Sequence, residues 1–121
     1  VYERRAKESG ISVKISAKAS RDLDVSPQDL VIVIANLFEN AIHATAKHKS
    51  KEKLIDISIK GSARRLLIKI DNPCKNNLTF DETLYGVGIR SVIATTNKYN
   101  GMYDFTAEDG IFSAKISLNL K

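Results

Sequence analysis

The chain has 121 residues, of which 43% are apolar and 27% charged, the balance of an ordinary globular protein and too much for one domain to leave without a core, too little for two. No run approaches the roughly 18 consecutive apolar residues that a membrane-spanning helix requires. Cys74 is the one cysteine, which excludes an intrachain disulfide and a cysteine metal cluster and fits a reducing, cytoplasmic setting; the net charge of +5 suits an anionic ligand, a nucleotide or equally a nucleic acid.

The sequence opens without methionine inside a charged, helix-compatible stretch, Tyr2-Glu3-Arg4-Arg5-Ala6-Lys7-Glu8, and reads as a fragment of a longer protein. Ser9-Gly10 ends that helix. Ile11, Val13, Ile15 and Ala17 alternate with polar residues, the period of a half-buried strand, and residues 19–25 form a polar connection. Ser26-Pro27-Gln28-Asp29 is a helix start, with Ser26 as N-cap, Pro27 at the first helical position and Asp29 placed to complete a capping-box-like pair. The helix should run to Lys47, with a basic loop over residues 48–53.

Leu54 to Lys60 alternates again, and after a Gly61-Ser62-Ala63 turn a second strand, residues 64–71, places Leu66, Ile68 and Ile70 on one face; together they predict a hairpin. From Asn72 to Tyr85 the sequence reads as a long irregular loop, the length at which lids and binding loops occur. Gly86-Val87-Gly88 leads into a helix over residues 89–99, stopped by Asn100-Gly101, and a closing hairpin turns at Glu108-Asp109-Gly110. The order strand, helix, hairpin, loop, helix, hairpin predicts an α+β, two-layer sandwich. It should carry a mixed, mostly antiparallel sheet of about five strands with two to three helices on one face.

Two segments carry chemistry. In the first long helix Asn36, Asn40, His43 and Lys47 fall at i, i+4, i+7 and i+11, one polar line beside the apolar stripe of Leu30, Ile34, Leu37, Ala41 and Ala44. Amide oxygens suit a hard cation such as Mg²⁺, and His43 and Lys47 offer donors to an anion. A boundary role for the two asparagines, bonded to nearby backbone, is the plainer alternative. Gly86-x-Gly88 before a helix lets backbone amides approach a phosphate. It has the spacing of neither a P-loop nor a dinucleotide fingerprint, and a tight loop would explain it as well.

Taken in order, NLFENAIHA, a hairpin whose second strand ends in IDNP, a loop, GVGIRSV and KYNG resemble the ATP-binding domain of the superfamily that contains DNA gyrase, the heat-shock chaperone ATPases, the mismatch-repair ATPases and the sensor histidine kinases. The nearest look is to histidine kinases of the bacterial peptide-sensing, quorum-sensing type, over about residues 7–120. The resemblance implies a domain at residues 10–121 that binds Mg²⁺ and ATP, with residues 1–9 the end of a linker helix from an absent dimerisation and phospho-acceptor domain. Asn40 resembles the asparagine that coordinates Mg²⁺. Asn36 stands where hydrolysing relatives place a glutamate; an amide cannot deprotonate water, so the site should hold ATP without hydrolysing it.

The resemblance further implies that His43 stands at a phosphate-touching position and that Glu39 is a base or orienter for the acceptor, with a solvated helix glutamate as the alternative; Lys47, one turn beyond His43, either reaches the phosphates or is simply solvated. Gly86, Val87 and Gly88 would line the triphosphate with backbone. For the adenine amino group the sequence offers adjacent Asp71 and Asn72, and strand parity with Leu66, Ile68 and Ile70 favours Asn72. Pro73 replaces the family's glycine, and Leu84 and Tyr85 stand where lid glycines are expected. The implied function is transfer of the γ-phosphoryl to a histidine on the separate domain and onward to a response regulator. The parent would be dimeric and membrane-anchored, this part of it cytoplasmic, with no nucleic acid as partner. Two alternatives stand beside it: a degenerate nucleotide-sensing or protein-interaction module of the same fold, and a basic nucleic-acid-binding domain, against which the lysines are scattered with no aromatic platform among them.

Overall fold

The structure is a computed structural model and describes residues 2–8, 10–19, 23–47, 53–74 and 87–120. Among these residues three helices, α1 (Tyr2–Glu8), α2 (Pro27–Lys47) and α3 (Val87–Lys98), accompany five strands, β1 (Ser12–Lys18), β2 (Leu54–Gly61), β3 (Arg65–Pro73), β4 (Met102–Glu108) and β5 (Ile111–Asn119). The sheet order is β1-β2-β3-β5-β4, with β1 parallel to β2 and every other pair antiparallel. The predicted α+β architecture is therefore the one observed.

Alternation along β2, β3 and β5 sends Ile55, Ile57, Leu66, Ile68, Ile70, Ala114, Ile116 and Leu118 to one face, all buried. The helices supply Ala6, Val33, Leu37, Phe38, Ala41, Ile42, Ile89 and Val92 to the same core. β1 departs from the half-buried expectation. It is an edge strand, only Val13 along it is partly buried, and Ile15 is 46% exposed. α1 packs against β1 and α2.

Turn chemistry fixes the junctions. α1 ends in a Schellman motif: Gly10 has φ +74°, its N–H bonds Lys7 O at 3.0 Å, and the Ile11 N–H bonds Ala6 O at 2.8 Å. At the end of α3 the left-handed residue is Asn100 (φ 52°), with Asn100 N–H on Asn97 O and Gly101 N–H on Thr96 O. Gly101 is required there for a different reason, since a Cβ would stand 1.9 Å from the Ser117 carbonyl oxygen. Asp109 and Gly110 both have positive φ, as a two-residue type I′ hairpin turn needs.

Three boundaries move from those expected. β3 continues through Asn72 and Pro73, which pair with Phe112 and Ile111 of β5, so the irregular segment starts later than Asn72. Beyond Asp71 the β2 side of β3 has no registered partner, and a residue without an N–H is tolerated there. Gly61 belongs to β2 rather than to the turn. α3 begins at Val87, which puts Gly88 inside its first turn rather than before it. The rest of the expected lid, residues 75–85, together with Gly86 and most of the basic loop, residues 48–52, lies outside the described residues.

Candidate functional site

α2 packs on β2 and β3 and, side by side, on α3. α2 and α3 are antiparallel neighbours: Asp29 near the start of α2 meets Lys98 and Tyr99 at the end of α3, and Asn36 in mid-α2 meets Gly88 at the start of α3. The two candidate segments, far apart in sequence, thus share one helix–helix seam.

At the Gly88 end the approach is close. A Cβ on Gly88 would lie 2.9 Å from Asn36 Oδ1 and 3.4 Å from its Cγ, so only glycine leaves the asparagine its place. Asn36 donates from Nδ2 to the Ile32 carbonyl at 2.7 Å, one turn back along its own helix, which fixes the amide plane and leaves Oδ1 turned to Gly88. The boundary role foreseen for the asparagines is thus partly realised at Asn36. Asn40, one turn further along α2, is exposed, as are Glu39 and His43. Lys47 is the last residue of α2 and its side chain lies outside the described residues, like the side chain of Val87 and the whole of Gly86.

β3 delivers the third part. Asn72 continues the inward series of Leu66, Ile68 and Ile70 and is 2% exposed, on the helix-facing side of the sheet. Its Nδ2 donates to the Pro73 carbonyl at 2.9 Å, which orients the side-chain amide. Asp71 points to the opposite face, where its Oδ2 lies 3.4 Å from Lys69 Nζ. Cys74 is half-buried, and burial raises its thiol pKa above the ordinary value. Among the described residues no group of three or more His, Cys, Asp or Glu side chains could hold a metal ion.

Sequence reasoning missed the other end of the seam. Asp29 was expected to reach back to the backbone N–H of Ser26. Instead the Tyr99 hydroxyl stands between them: Ser26 N–H donates to Tyr99 Oη at 3.1 Å, and Tyr99 O–H donates to Asp29 Oδ2 at 2.6 Å. Lys98 Nζ donates to the same oxygen at 2.8 Å. Asp29 is buried, and the hydrogen bonds from Lys98 and then Tyr99 hold its carboxyl below the ordinary aspartate pKa. The bond to Asp29 raises Lys98; burial, then the same carboxylate, raises Tyr99. The signal was present as Lys98-Tyr99 before Asn100-Gly101, but nothing local links it to a residue 70 positions earlier.

The family profile described as "GHKL domain" matches residues 25–119. A curated relative from Bacillus subtilis (strain 168), "Probable C4-dicarboxylate sensor kinase", is 36% identical over 102 residues, which cover 81% of this chain and 18% of that protein. The chain therefore spans less than a fifth of that relative. Among solved structures, the catalytic domain of the histidine kinase ThkA superposes with a TM-score of 0.76 at 15% identity, over 98% of this chain and 85% of that one. The Acinetobacter baumannii histidine kinase AdeS gives a TM-score of 0.72 at 13% identity, over 99% and 61%. At these identities the two structures speak to the fold alone.

Proposed function

The chain belongs to the GHKL domain family, and we propose that it is the ATP-binding catalytic domain of a sensor histidine kinase, which presents the γ-phosphoryl of ATP to a histidine on a separate acceptor domain. The observation that carries the reading is the contact of Gly88 with Asn36, which joins the two sequence segments suited to a triphosphate at a single seam. The site residues follow from that placement. Asn40, exposed and one helical turn beyond Asn36, would give an amide oxygen to Mg²⁺, whose remaining positions phosphate oxygens and water would fill, the kind of oxygen shell this ion prefers. Bound there, Mg²⁺ would neutralise phosphate charge.

The chain's own groups supply orientation. The N-terminal amides of α3 favour negative charge, and Gly88 among them allows close approach. His43 and Lys47, on the Asn36–Asn40 line, are candidates for phosphate contact, as are the backbones of Gly86 and Val87. Asn72, inward-facing at the end of β3, would accept from the adenine amino group through Oδ1, its Nδ2 being engaged with Pro73. Asn36 has no proton-accepting carboxylate to activate water, so transfer to an imidazole nitrogen is favoured over hydrolysis, with ADP as the leaving group; Glu39, adjacent to Asn40, is the candidate to orient that acceptor.

The peptide-sensing subtype, suggested by IDNP and by asparagine in place of aspartate at residue 72, is the finer part of the proposal, as are a dimeric parent and a response regulator as phosphoryl recipient. No helix among the described residues is long and apolar enough to cross a membrane. Calorimetry with a non-hydrolysable ATP analogue tests the reading. Affinity that needs Mg²⁺ and is lost in Asn40→Ala supports it; no binding at millimolar nucleotide would leave an interaction module of the same fold.

A further inference from the structure

The seam between α2 and α3 is tied at one end and open at the other, and its geometry makes the tied end matter to the open one. Along α3 and the residue after it, Gly88, Val92, Thr95 and Tyr99 fall at i, i+4, i+7 and i+11, and on α2, Asp29, Val33, Asn36 and Asn40 do the same. Across the seam Asp29 meets Tyr99 and Asn36 meets Gly88, so Val33 on α2 and Val92 and Thr95 on α3 lie along it. Apart from Tyr99, the α3 line is small: glycine, valine, threonine. It has no bulky knob that would lock the helix lengthwise by interdigitation. The Thr96 hydroxyl is turned back to its own helix, on the Val92 carbonyl at 2.8 Å, and adds no bond across.

Along such a line, directional contacts can set the lengthwise register. At the closed end three bonds between α2, its cap and the end of α3 converge on one carboxylate oxygen and one phenol, Asp29 Oδ2 and Tyr99 Oη. Tyr99 uses its donor toward Asp29 and its acceptor toward Ser26, and a rigid ring holds both. A slip of about 1.5 Å, the rise of one helical residue, would break this set and take Gly88 off Asn36.

We propose that Asp29 and Tyr99, assisted by Lys98, are positioning residues for the nucleotide pocket: their clasp sets the register of α3 along α2 and so holds Gly88 against Asn36. This rests on the nucleotide-binding reading above. The clasp lies at the far end of a 12-residue helix from Gly88, so neither residue need touch nucleotide.

The test compares the wild-type chain with Tyr99→Phe, Asp29→Asn, the double variant and Ile55→Val, a core change on β2, away from the residues of the seam. Two quantities are read below the unfolding temperature of every variant: the amide ¹H–¹⁵N shift of Gly88 without ligand, and the Kd for a non-hydrolysable ATP analogue with Mg²⁺. Tyr99→Phe, which keeps the ring, should move the Gly88 resonance and weaken the analogue at least about fivefold, the low end of coupling between distant sites. The double variant should be no worse than Asp29→Asn, and Ile55→Val should lower the melting temperature without changing either readout. If the wild type binds and both clasp variants bind as well with Gly88 unmoved, the clasp is structural only and the proposal is overturned. A wild type with no affinity overturns the nucleotide reading, and the binding part of this proposal with it.

Discussion

The two ends of the α2–α3 seam are built on opposite principles. At one, Ser26, Asp29, Lys98 and Tyr99 satisfy one another, with Asp29 buried. At the other, closeness comes from a missing side chain at Gly88, and Asn40, Glu39 and His43 lie exposed beyond it. A structural helix pair would gain from closing both ends. Leaving polar groups exposed beside a glycine approach is what a site for a polar ligand requires, and the closed end keeps the open one in shape.

The comparison can be broken by substitution. The largest effect on stability should come from Gly101→Ala, just past the clasp: its Cβ meets the Ser117 carbonyl, backbone that cannot turn aside, and the cost should reach about 4 kcal/mol or prevent folding. Urea titration measures it, and a loss below about 1 kcal/mol would show that the α3–β4 junction adjusts freely. At the open end the pattern reverses. Asn40→Ala should leave stability within about 0.5 kcal/mol of wild type while lowering nucleotide affinity at least about tenfold, or 1.4 kcal/mol.

Gly88→Ala is intermediate. Crowding against Asn36 costs about 1–3 kcal/mol, offset by the roughly 0.5–1 kcal/mol that alanine gains over glycine in a helix. Affinity should fall, and adding Asn36→Ala should recover stability beyond additivity, a coupling that a double-mutant cycle reads directly. A strictly additive cycle would separate the two residues.

The clasp also has a pH signature. The folded pKa of Asp29 is lowered, so its stabilisation is fully present above the ordinary aspartate range and is lost as pH falls through the folded value. Lys98 and Tyr99 are raised, so theirs is present below their ordinary values and lost as pH climbs through the folded ones. Asp29→Asn should therefore flatten part of the acid limb of stability, measured by melting at stepped pH. Smallest of all, Asn72→Ala should reduce discrimination of ATP from GTP more than Asp71→Ala does; the reverse order would place the adenine contact on the outer face.

What could be read in the sequence was what local periodicity controls. Alternation in β3 put Leu66, Ile68, Ile70 and Asn72 on one face, and the structure buries all four. The polar line through Asn36 and Asn40 and the pair Gly86 and Gly88 were legible as chemistry; that Asn40 and these glycines share one triphosphate is an expectation from family resemblance, and the contact of Gly88 with Asn36 was not legible at all. Three further things were not legible. The Tyr99 hydroxyl enters the cap of α2 from across the fold, and local cap rules see only Ser26 and Asp29. β3 runs on through Pro73 because β5 pairs with it, a tertiary fact that overrides proline's local reputation. β1 is less covered than its alternation suggests, since alternation sets which face a residue takes and not what packs on that face at the sheet edge.

The central claim is that α2, β3 and the start of α3 meet one nucleotide. Its most direct measurement is a ¹H–¹⁵N titration of the chain with a Mg²⁺-bound, non-hydrolysable ATP analogue. The backbone amide of Gly88 and the side-chain amides of Asn36, Asn40 and Asn72 should shift together along one saturation curve. Shifts gathered instead on the outer sheet face, around Lys60, Lys69 and Lys115, with Gly88 and Asn40 silent, would contradict the account.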